Sequence, residues 1–162
     1  MRKILNKILE VAACLLFVSM ILVSLIQIIS RYILKSPSVF SEEFLRYSII
    51  WVSMLGMAYA FGKGGHLSIT FLKDKLSGKD SIIIEIFFQF IYSLFALSIM
   101  ILGGINAVKI SIYQISPALK IPMGFIYLSL PISGVIIILY SILNIKDILK
   151  NNNNSEVKEN GI

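Results

Sequence analysis

Four long apolar runs, separated by short polar stretches, organise the 162-residue chain. The first extends from about Ile8 to Tyr32, the second from about Ser41 to Phe61, the third from about Ile82 to Lys109 and the fourth from about Pro122 to Ile145. A helix rising about 1.5 Å per residue needs about twenty such residues to cross about 30 Å of hydrocarbon. The pattern therefore predicts an all-α integral membrane protein with four transmembrane helices, occupying residues 1–150. Between the second and third runs, Gly62 to Asp80 is too polar to span, yet it sets Leu67, Ile69, Phe71, Leu72 and Leu76 among lysines. A short interfacial segment on the cytoplasmic leaflet is expected there. Residues 151–162, opening with Asn151 to Asn154, hold too little apolar surface to pack and are expected to form a disordered cytoplasmic tail.

Composition strengthens this picture. At 57% hydrophobic and 15% charged residues, the chain has more apolar surface than a small soluble domain can bury. Its net charge of +6 does not imply nucleic acid, because the basic residues form no patch interleaved with aromatics; they flank the apolar runs. Arg2, Lys3, Lys7, Lys63, Lys73, Lys75, Lys79, Lys146, Lys150 and Lys158 fall on one side. Arg31, Lys35, Arg46, Lys109 and Lys120 fall on the other. Ten against five places both termini in the cytoplasm, since short cytoplasmic flanks are enriched in Lys and Arg. The basic start followed by an apolar stretch resembles a signal peptide, but the stretch is too long and no small-residue cleavage site follows. Cys14, alone in the sequence, excludes an intrachain disulfide and reads as a small lipid-level hydrophobe.

Candidate chemistry gathers around the first outer loop, where Arg31 and Tyr32 end one helix and Ser41, Glu42, Glu43 and Arg46 open the next. Charges beside hydrocarbon need a reason. Glu42 and Glu43 can reach Arg46 at helical spacing, and acids in a first turn offset the helix dipole, so capping and salt bridging are one reading. The other is a structural ionic cluster in which Arg31 and a carboxylate clasp the first two helices for a partner protein. Paired catalysis by Glu42 and Glu43 is disfavoured, because adjacent helical positions diverge by about 100°. Ser24, Gln27 and Arg31 share a helical face that avoids lipid. Gly56 with Ala60, Ala58 with Gly62, and Gly103 with Gly104 offer close helix packing. Pro131 lies inside the fourth helix, frees the Tyr127 carbonyl and predicts a kink, whereas Pro122 suits a first helical turn. Trp51, over two turns into its helix, reads as packing. His66 has no second ligand of its kind, and the glycines before it lack a phosphate-loop ending, so no metal, haem, nucleotide or other cofactor is implied.

Taken together, Arg31–Tyr32, Glu42, Glu43, Arg46, Trp51, Gly56 and His66, followed by Ser116-Pro117-Ala118-Leu119, Ile121-Pro122, Tyr127 and Pro131, resemble the small membrane subunit of tripartite ATP-independent periplasmic (TRAP) transporters. The chain departs from that family at Phe40, where Trp is frequent, and at Thr70, where an acid is frequent. The resemblance implies a non-enzymatic subunit of the bacterial inner membrane. It would scaffold a large permease that imports an organic acid, such as a C4-dicarboxylate or a sialic acid, with an ion, Na+ by expectation. A periplasmic substrate-binding protein would deliver the substrate and could meet the outer loops; membrane lipids are the remaining partners. The rival reading is a stand-alone proton-coupled four-helix exporter. That would need a carboxylate at the bilayer midplane, whereas Glu10 and Glu85 lie near inner helix ends and Glu42 and Glu43 near an outer one. No discontinuous helix pair or inverted repeat marks a self-sufficient transporter.

Overall fold

The computed structural model describes residues 2–63 and 79–159. Among these, four helices are long and apolar enough to cross a membrane: Arg2–Tyr32, Val39–Gly62, Ile82–Ser111 and Gly124–Leu149. The helical elements are α1 (Arg2–Tyr32), α2 (Val39–Gly62), α3 (Lys79–Phe95), a π-helical stretch (Ala96–Gly103), α4 (Gly104–Ser111), α5 (Gly124–Tyr127) and α6 (Ser129–Glu159). An even number of crossings returns the chain to the side on which it began. The interfacial segment expected after α2, with His66 and Thr70, lies outside the described residues. Helical backbone continues through Glu159, beyond the position where the sequence reading begins its tail.

The turn from α1 to α2 passes through Lys35 in the left-handed region (φ 51°). Ser38 then caps α2, its hydroxyl oxygen accepting the Ser41 amide at 3.4 Å. The third crossing starts as α3, widens through the π-helical stretch and resumes as α4. The fourth breaks at Leu128 between α5 and α6, three residues before Pro131. Pro131 has no amide to offer the Tyr127 carbonyl, and the break falls at that gap.

The last helix is the hub. α6 packs against α2, α3 and the π-helical stretch, while α1 lies along α2 at the edge. Leu9, Leu55, Ala58, Phe61, Ala96, Met100, Ile137 and Tyr140 form the core, with Trp51 partly buried against it. Small residues set how closely the helices approach. A Cβ on Gly104 would stand 2.8 Å from Pro131 Cδ, and one on Gly134 would stand 2.9 Å from Met100 Cβ. A Cβ on Gly62 would meet the Tyr140 ring, and Ala58 is fully buried, so the second small pair of α2 packs the core. The first pair does not: Gly56 has nothing within 4 Å of its Cβ position and Ala60 is exposed. Gly103 is likewise open, its nearest neighbour being the Ser98 carbonyl at 3.9 Å. Of Gly56, Ala60, Gly103 and Gly104, only Gly104 makes a tight helix contact among the described residues.

Candidate functional site at the two ends of the bundle

The loop after α4 contains a single helical turn, and its sequence explains why. Pro117 suits a first helical position because it has no amide to leave unpaired. The Ser116 carbonyl accepts the Lys120 amide at 3.0 Å, and Lys120 leaves the turn in the left-handed region (φ 53°). A short bridge between Ile115 and Pro122 closes the base, with the Ser116 amide on the Ile121 carbonyl at 3.0 Å. Such a turn leaves its first amides without internal acceptors. Here those of Ala118 and Leu119 both donate to Glu43 Oε2, at 3.1 Å each, and the Ser116 hydroxyl donates to the same oxygen. Glu43 is 6% exposed and Ser116 fully buried. A carboxylate on α2 thus caps a turn more than seventy residues further along the chain, in the manner of anions at helix starts.

Glu42 turns the other way and pairs with Arg46 at 2.9 Å, both side chains being exposed. Arg31 is exposed and forms no ion pair among the described residues. The expected clasp between Arg31 and a carboxylate is therefore corrected: Glu43 faces inward to the 116–119 turn, and Glu42 is engaged by its own helix. Ser24 and Arg46 share a groove of about 530 Å³ between α1 and α2, otherwise lined by apolar side chains.

At the opposite end, Arg2 spans two helices, donating to Asp147 Oδ2 at 2.6 Å and to the Gly62 carbonyl at 2.5 Å. The Tyr140 hydroxyl donates to Asn6 Oδ1 at 2.5 Å. These contacts tie the start of α1 to the end of α2 and to α6. One helical layer inward, Ser141 Oγ donates to Gln89 groups at 3.0 Å and accepts from Ser93 Oγ at 2.9 Å. Sequence reasoning saw Arg2 only as an orienting charge and Ser116–Leu119 only as a family block. The available signals were an Asp among the basic residues of that end and a Ser-Pro turn start near an inward-facing acid.

Glu43, Arg2, Tyr140 and Ser141 tie helices or loops together, Glu42 and Arg46 pair within α2, and among the described residues no set of three His, Cys, Asp or Glu side chains could hold a metal. The class this defines is a multi-pass membrane protein whose helices are tied by polar contacts at both ends of the bundle. Residues 20–151 match the family model of tripartite ATP-independent periplasmic transporters, DctQ component. The chain belongs to that family, and is a small permease component of a TRAP transporter. It is 28% identical over 150 residues to the sialic acid TRAP transporter small permease protein SiaQ of Vibrio cholerae, covering 93% of this chain and 86% of that one. A TRAP transporter small permease protein of Haemophilus influenzae is 26% identical over 132 residues, 82% of this chain and 81% of the relative. The sialic acid TRAP transporter permease protein SiaT of H. influenzae is 27% identical over 134 residues, which are 83% of this chain but 22% of that longer protein. Family membership sets aside the stand-alone exporter.

Proposed function

We propose that this chain is the fixed small subunit of a Na+-coupled importer of an organic acid in a bacterial inner membrane, with both termini cytoplasmic. It holds a large permease in place, and its outer loops offer a surface to a periplasmic substrate-binding protein. The observation that carries the scaffold reading is the Glu43 lock, which braces the outer loop between the third and fourth crossings against α2. A braced loop keeps its shape while a neighbouring chain moves. The names of the V. cholerae and H. influenzae relatives favour a sialic acid as substrate over a C4-dicarboxylate.

Reconstitution tests this reading. Proteoliposomes holding this chain with its large permease, supplied with the binding protein and an inward Na+ gradient, are expected to accumulate radiolabelled sialic acid. Omitting either membrane subunit, or the gradient, is expected to abolish accumulation. Equal uptake by this chain alone would overturn the scaffold role; uptake of a C4-dicarboxylate instead would replace the substrate, and uptake driven by protons would replace the ion.

A further inference from the structure

The outward face of α2 differs in composition from those of α1 and α3, although the third crossing also turns out Ser98, Gly103 and Asn106 beyond α3. Beyond Val39 and Phe40 of the first turn of α2, its exposed residues Glu42, Arg46, Ile49, Ser53, Met57 and Ala60 recur at successive turns, and Gly56 lies open beside them. The eighteen steps from Glu42 to Ala60 cover about 27 Å, close to the hydrocarbon thickness. By contrast, α1 turns out Leu15, Val18, Leu22, Leu25 and Ile29, and α3 turns out Ile83, Phe87, Phe90 and Leu94. Fluid acyl chains suit those bulky faces. An exposed ion pair is costly against hydrocarbon, and small residues gain most from a close helix. Towards the outer end, Arg46 and Ile49 also form one wall of the groove, facing Phe17, Met20 and Ile21 of α1. The groove can take large side chains where the small stripe takes backbone.

We infer that this face of α2 and the adjoining groove seat a transmembrane helix of the large permease. The inference rests on the scaffold reading above. In the H. influenzae permease protein, the matching stretch is 22% of a single polypeptide. The same unit is there built into a chain named as a permease, which makes a permease helix the occupant rather than a second copy of this chain or a phospholipid.

The test is co-purification with the affinity-tagged large permease. Gly56→Leu and Ala60→Leu place bulk where this chain has open space, so each variant is expected to stay folded by size-exclusion in detergent. The double variant is expected to lower recovery of the complex about tenfold. Gly103→Leu, an equally open glycine on the third crossing, is expected to leave it unchanged. With photoactivatable p-benzoylphenylalanine incorporated in place of Ser53, ultraviolet light is expected to cross-link this chain to the permease, and incorporation in place of Leu22 is not. Undiminished recovery in the double variant, alone or with loss of bound phospholipid, overturns the assignment of this face. Failure of the unaltered chain to co-purify overturns the scaffold reading itself, and this inference with it.

Discussion

Neighbouring positions on a helix point about 100° apart, and that rotation gives Glu42 and Glu43 opposite roles. Glu42 goes outward to Arg46, and Glu43 goes inward to three donors on a distant turn. Glu43→Ala leaves two part-buried amides and a buried hydroxyl without an acceptor, whereas Glu43→Gln keeps a carbonyl oxygen for the amides. The alanine variant is therefore expected to lower the melting temperature in detergent by about 5 °C or more and to expose the 112–123 loop to limited proteolysis. The glutamine variant is expected to lose less on both measures, and equal behaviour of the two would show that the amide contacts contribute nothing. The charged cluster was visible in the sequence because Arg31, Glu42, Glu43 and Arg46 stand beside apolar runs. Their partners were not visible. Periodicity says which residues share a face of one helix, but not which element that face meets, so the clasp reading leaves open which carboxylate Arg31 meets, and the structure gives Glu43 to Ser116–Leu119.

For the helices themselves, the apolar runs placed all four crossings to within a few residues, except that α1 begins at Arg2. The π-helical stretch could not be read in this way, because Ala96–Gly103 is uniformly apolar and suits either winding. It lies where Gly134 and Pro131 bring the fourth crossing into close contact with the third. Gly103 and Gly104 look equivalent in sequence and differ by one helical step in space. Gly104→Leu is expected to destabilise the fold by about 1–3 kcal/mol through overpacking against Pro131 and Leu130. Gly103→Leu should fall within about 0.5 kcal/mol of the unaltered chain. Thermal unfolding of the pair in one detergent distinguishes the neighbours, and matched melting points would mean that the third and fourth crossings separate easily there.

At the scale of the whole molecule, the unequal distribution of Lys and Arg predicts the orientation, and the even number of crossings makes one side test the other. In a Cys14→Ser background, Lys120→Cys is expected to react with a membrane-impermeant maleimide in intact spheroplasts, and Lys63→Cys only after the membrane is opened. The reverse labelling would invert the proposed topology. The placement of α6 at the centre of the bundle has a further consequence for synthesis. Chains enter the membrane from the amino end, so the helix against which α2 and α3 pack leaves the ribosome after the three crossings before it. Until it arrives, Ala58, Phe61, Ala96 and Met100 lack the surface that buries them, and the Arg2 tie lacks Asp147. The early helices must wait in the bilayer, and the native bundle closes only when the fourth crossing is inserted.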